Sequence, residues 1–119
     1  MTTLAELIAS ASGLQGCDSW RALEAHRQSV GDLHVSALLD EPGRFEACSR
    51  VGCGLTLDYS RHLLTAETVG LLLQLAEERQ LAAWIKCLLS GARVNSTEDR
   101  PALHTALRRD ADRPLVVDG

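Results

Sequence analysis

Few side chains in this 119-residue sequence could do chemistry, and those few are scattered. Its four cysteines are Cys17, Cys48, Cys53 and Cys87, and no two are spaced as C-x-x-C. Its four histidines are His26, His34, His62 and His104. A zinc centre draws three or four such ligands together, and paired spacing usually announces it. No pairing of that kind occurs, so no metal ligand is assigned and no cofactor is expected. The opening residues, Met1 to Glu6, lack the basic and apolar regions of a secretory signal. Reduced thiols in a cytoplasmic setting follow as the expectation. They read as small buried side chains rather than nucleophiles.

The acid–base groups admit two readings each. Glu98, Arg100 and His104 can form a supporting polar network, because His104 lies four residues after Arg100 on one helical face. The plainer reading has Asn95 and Thr97 satisfying a loop and cap while Arg100 pairs with an acid. Asp58 and Tyr59 can present a polar tip to a neighbouring domain, or simply pack a hairpin with the tyrosine hydrogen-bonded. His26 and His34 read as surface or interface residues. Glu77, Glu78 and Arg79 read as a solvated face.

The balance of charges and apolar residues excludes several classes. Net charge is −4, from 12 basic and 16 acidic residues. Nucleic-acid binding needs a positive surface, and no basic stripe with aromatics is present. No apolar run approaches the roughly 20 residues of a membrane span. Apolar residues make up 45% but aromatics only 3%. A core must therefore come from Leu, Ala, Val and Ile, a composition that favours helices.

The elements that would position these groups are mainly helical. Leu4, Leu7, Ile8 and Ala11 mark one face of a first helix over 3–14. Asp18 can cap a second, with Trp20, Leu23 and Val30 inward and Gly31 at its end. Asp32 can cap a short third containing Leu33, Leu38 and Leu39, stopped by Pro42-Gly43. Alternation through Gly54–Tyr59 predicts a half-buried strand, paired with Phe45–Val51 across a turn holding Gly52 and Gly54. Thr65 caps the clearest helix, with Glu67 in its first turn. Val69, Leu72, Leu73 and Ala76 form its face, widened by Leu71 and Leu75. A further helix carries Leu81, Trp84, Ile85 and Leu88, with Gly91 at C′. A last helix from Thr97 or Asp99 carries Leu103, Ala106 and Leu107. Pro114–Gly119 reads as a short buried strand followed by a turn.

Three windows then carry a resemblance. Gly91 to Arg108 resembles G-x-x-[IV]-N-x-T-E-x-R-A-V-L-H-x-A-L-R of the glucose-6-phosphate isomerases. Eleven positions match: Gly91, Val94, Asn95, Thr97, Glu98, Arg100, Leu103, His104, Ala106, Leu107 and Arg108. Leu57-Asp58-Tyr59-Ser60-Arg61 resembles that family's L-x-D-Y-S-[KR] segment, and Trp20-x-x-Leu23-x-x-His26 its first-helix signature. Pro101-Ala102 departs from the usual Ala-Val, and Leu89 replaces a phenylalanine. The resemblance covers about residues 18–119.

The resemblance implies an N-terminal accessory part, mainly α with about five to six helices and a small antiparallel β-hairpin, attached to an α/β/α sugar-isomerase fold. Such enzymes interconvert glucose 6-phosphate and fructose 6-phosphate, in glycolysis and gluconeogenesis, by metal-free proton transfer between C1 and C2. A glutamate base, a ring-opening histidine and a phosphate loop do this work. Their motifs are absent from residues 1–119. No catalytic residue and no substrate-binding residue is therefore assigned to this chain. The expectation is a fragment inactive by itself, packing against the remaining domains of a homodimer. The alternative is a stand-alone α-helical protein-interaction module.

Overall fold

The computed structural model describes residues 3–11, 13–95, 97–110, 112 and 114. Among these are six α-helices and one two-stranded antiparallel sheet: α1 (Leu4–Ala9), α2 (Asp18–Ser29), α3 (Val35–Leu39), α4 (Arg44–Ala47), β1 (Ser49–Gly52), β2 (Leu55–Asp58), α5 (Ala66–Glu78) and α6 (Leu81–Leu89). The fold is mainly α with a small hairpin, as the sequence predicts. Two compact units divide the chain: Met1–Cys17 with Leu75–Gly119, and Asp18–Gln74.

In the first unit, α1 opens on a capping box. Thr3 Oγ1 accepts from the Glu6 N–H, and the Glu6 carboxylate accepts from the Thr3 N–H at 2.6 Å. That hydrogen bond holds the Glu6 carboxyl below its ordinary range. Leu7 is the most deeply buried side chain described, and its helix lies against α6. Helix α6 follows α5 through Gln80, whose positive φ of 52° breaks one helix and starts the next. It ends in a Schellman motif: Ala92 N–H reaches Cys87 C=O at 3.0 Å, and Gly91 N–H reaches Leu88 C=O at 3.2 Å. Gly91, at φ 81°, is the left-handed C′ residue the sequence predicts.

The second unit departs from expectation in three places. Asp32 does not cap α3; the chain turns through a Leu33 N–H to Val30 C=O bond of 3.1 Å. Extended His34 is the N-cap instead, without a side-chain bond, and Leu33 lies outside the helix. Phe45 to Ala47 is not strand. Gly43, at φ 75°, starts the single turn α4 there, so pairing begins only at Ser49. The hairpin itself is exposed rather than half-buried: Val51, Leu55 and Leu57 keep 80%, 73% and 61% of their surface. Its turn, Cys53-Gly54, has positive φ at both central residues, as a type I′ hairpin requires.

Three further readings shift. On α5, Leu72 and Leu73 are exposed, while Val69, Leu71, Leu75 and Ala76 are half-buried, so the inward face is narrower than predicted. Arg79 is half-buried rather than solvated. The helix expected from Thr97 or Asp99 does not form. Asp99 sits at φ 49°, Asn95 bridges to Arg100, and only a 3₁₀ turn at Ala106–Arg108 is helical. Pro101 disfavours the α conformation at Arg100. Leu107, on the intended inner face, keeps 89% of its surface. Of the strand expected over Pro114–Gly119, residues 115–119 lie outside the described residues.

Candidate functional site

The densest polar construction lies in the second unit, at the entry to α5. Thr65 and Thr68 cap the helix reciprocally: each hydroxyl accepts the other residue's N–H at 3.1 Å, with the two hydroxyls 2.9 Å apart. Threonine at the third helical position thus plays the part that Glu or Gln plays in the usual capping box. His26 of α2 is buried against this cap, whereas the sequence reads it as a surface or interface residue. Its Nε2 lies 2.8 Å from Thr68 Oγ1, and its Nδ1 lies 3.5 Å from the Glu67 carboxylate. Spaced 42 residues apart, His26 and Thr68 fix where α2 meets the start of α5.

A second construction surrounds Arg44, a residue that sequence reasoning passed over. Its guanidinium is buried and donates three hydrogen bonds to one loop: Nε to Ser60 C=O (3.2 Å), and the two terminal nitrogens to Leu64 C=O (2.8 Å) and His62 C=O (3.0 Å). Three carbonyls of a helix-poor loop, all at least partly buried, thereby find donors. The rigid fork of arginine suits this task, whereas lysine offers a point charge. The nearest carboxylate is that of Glu41, at 4.0 Å. The only sequence cue to Arg44 is its position after Pro42-Gly43, which reads as a terminator.

Between these constructions opens a cavity of about 280 Å³. Arg44, Cys48, Arg50, Tyr59, Leu64 and Val69 contribute to its wall. Tyr59 is half-buried and donates to Ala47 C=O at 3.5 Å. Asp58 turns back on its own chain: Ser60 N–H donates to Oδ1 at 2.8 Å. That backbone bond is the main reason its carboxyl sits below the ordinary range; the Ser60 side chain and then nearby Arg61 and His62 add to it. Asp58 and Tyr59 therefore serve the hairpin, as the plainer reading has it.

The other sequence candidates are not assembled. Without a helix, Glu98, Arg100 and His104 share no face, and all three are exposed. Asn95 does organise the loop: its Oδ1 accepts from Thr97 N–H at 3.2 Å and Thr97 Oγ1 at 2.7 Å. The ion pair there joins Arg93 to Asp99 at 2.8 Å, whereas Arg100 was the base expected to pair. Cys17 and Cys48 are buried and Cys87 half-buried, but Cys53 is exposed at the hairpin tip, against expectation. His34 is exposed, as expected. Among the described residues, no group of three His, Cys, Asp or Glu side chains is placed to hold a metal ion. No described helix is long and apolar enough to cross a membrane.

Comparison with known proteins bears directly on the resemblance. The family described as phosphoglucose isomerase matches residues 58–119. A glucose-6-phosphate isomerase of Pseudomonas aeruginosa (strain LESB58) is 47% identical over 103 residues, covering 86% of this chain and 19% of the relative. That of Syntrophus aciditrophicus is 47% identical over 107 residues, covering 89% and 19%. That of Shewanella halifaxensis is 44% identical over 102 residues, covering 85% and 18%. The chain spans about a fifth of the length of these relatives. The family match takes in Leu57's neighbour Asp58, the loop knotted by Arg44, the whole of α5 and α6, and the Gly91–Arg108 window. With more than half of its residues inside that match, this chain belongs to the phosphoglucose isomerase family.

Proposed function

We propose that this chain serves as the N-terminal helical part of a glucose-6-phosphate isomerase that interconverts glucose 6-phosphate and fructose 6-phosphate in the cytoplasm. Its share of that task is structural. It supplies packed helices and a rigid loop against which the catalytic domains of a homodimer assemble. It contributes no base, acid or phosphate cradle of its own. One observation carries this reading: sequence identity near 47% runs along 86% of the chain, yet takes up only 19% of the relative. The apolar surface left open on the hairpin and on α5 accords with it, because apolar patches of this kind on independent domains are usually covered by a partner. A stand-alone interaction module gains no support from these features.

The test is direct. The purified 119-residue chain, freed of host isomerase, is assayed for conversion of fructose 6-phosphate by coupled reduction of a nicotinamide. No turnover above the blank is expected. Saturable turnover that co-purifies with the chain and is altered by its substitution would overturn the reading.

A further inference from the structure

The hairpin register gives the cavity at Arg44 an extension. Arg50 pairs with Leu57, and Gly52 with Leu55. Side chains alternate between the two faces of a strand, so Cys48, Arg50, Leu55, Leu57 and Tyr59 fall on one face. Cys48, Arg50 and Tyr59 are also wall residues of the 280 Å³ cavity. Leu57 and Leu55 therefore prolong one wall of that cavity as an apolar strip, both widely exposed. Leu64 and Val69 supply apolar wall on the other side. The result is a single groove within one compact unit, with Cys48, Leu64 and Val69 among its wall residues and continued by the exposed hairpin leucines.

We propose that this groove seats an extended polypeptide segment from the remaining four-fifths of the isomerase, with an apolar side chain in the cavity and an acidic group facing Arg50. The inference rests on the functional reading above and adds the contact surface to it. Three observations select this occupant. Relatives matching this chain carry most of their length elsewhere, so polypeptide is available to fill the groove. A two-stranded hairpin is marginal in water and gains stability when its apolar face is covered. Arg50 is exposed at the rim, with one terminal nitrogen already held by the carbonyls of Ala47 (3.0 Å) and Ser49 (2.6 Å). Those bonds leave its second terminal nitrogen as a donor for a carboxylate, and among the described residues no ion pair involves Arg50. The other charged side chains among the cavity-wall residues are buried Arg44 and exposed Glu41.

The experiment compares the chain alone with a full-length enzyme. This chain is grafted over the matching stretch of the Pseudomonas aeruginosa isomerase. Turnover by the unsubstituted graft is measured first; failure there overturns the functional reading, and the groove with it. Leu55→Cys and Leu57→Cys are then introduced singly into both the chain and the active graft, with Glu24→Cys as a reference on the polar side of α2. Maleimide labelling is followed peptide by peptide by mass spectrometry. Burial governs thiol access, so the Leu55 and Leu57 positions should label at least about tenfold more slowly in the graft than in the chain, and Glu24 within about threefold of its free rate. An active graft in which the Leu55 and Leu57 positions label as fast as in the free chain overturns the groove while leaving the functional reading intact.

Discussion

The start of α5 and the stretch from Thr97 to Arg108 look equally committed in sequence but fold differently. Thr65-Ala66-Glu67-Thr68 is four residues of ordinary helix-entry chemistry. It folds as such because the Thr65 and Thr68 N–H groups find acceptors in each other's hydroxyls, and because His26 adds a contact from α2. Thr97–Arg108 holds much of the most specific family match in the chain, yet makes only one 3₁₀ turn. The difference lies in where the stabilisation comes from. An isolated helix under about 12 residues is marginal without a packed face. The α5 entry is closed by its own atoms, whereas Leu107 stays exposed among the described residues. A family motif reports what the complete enzyme packs, whereas a cap reports what its own residues can do.

The sharpest way to break this comparison is to remove the buried guanidinium. Arg44→Met strips three loop carbonyls of their donors while keeping an unbranched stem. A loss of about 3 kcal/mol is expected, since each bond involves a charged donor and the carbonyls stay partly buried. Urea unfolding followed at 222 nm measures it. A loss below about 1 kcal/mol would show the loop holds its shape unaided, and that self-sufficiency in this unit does not depend on Arg44.

A smaller effect tests the reciprocal cap. Thr65→Val removes the hydroxyl that accepts the Thr68 N–H, and Thr68→Val removes its counterpart. Each should cost about 1 kcal/mol, in line with other N-cap losses. The double variant should cost less than the two singles together, because the bonds are mutual. Strict additivity in the unfolding midpoints would mean the two hydroxyls act independently, with His26 holding each on its own account.

Pro101→Ala takes the comparison from the other side. It restores the residue typical of the family and frees Arg100 from the constraint of a following proline. Mean ellipticity at 222 nm should nevertheless gain less than the signal of about one helical turn, because nucleation stays unfavourable while the face is uncovered. A gain corresponding to the full expected helix would show that one proline, not missing packing, keeps this stretch open.

The same division explains what could be read in advance. Thr65, Gly91 and the Gly52–Gly54 turn were legible because caps, left-handed C′ residues and hairpin turns are decided within a few positions. Alternation in Leu55 and Leu57 gave the strand, but not its exposure, since the period of a strand does not say whether anything covers it. Asp32 was misread as a cap because a backbone turn at Val30–Leu33 pre-empts it. Arg44 and His26 were missed as interior residues because their partners lie 16 to 42 positions away, and no local pattern announces such a bond. The cavity itself is assembled from α4, the hairpin and the start of α5, so no single window of sequence contains it.

The gentlest probe is the acid limb of stability at Asp58. Its folded carboxyl sits below the unfolded value of 3.8, chiefly through the Ser60 N–H bond. Such a group binds fewer protons folded than unfolded, so its contribution is complete above pH 3.8 and fades as pH falls through the folded value. Asp58→Asn keeps an acceptor oxygen but cannot titrate. The variant should unfold at slightly lower urea concentration than the parent at pH 7, and the two midpoints should converge as the pH is taken well below 3.8. Because the carboxylate is solvent-exposed, the gap should shrink in high salt only to the extent that Arg61 and His62 contribute, the Ser60 bond being less sensitive to screening. A gap that persists unchanged in strong acid would assign the effect to the geometry of the turn rather than to charge. The hairpin would then be anchored to the Arg44 loop by shape alone.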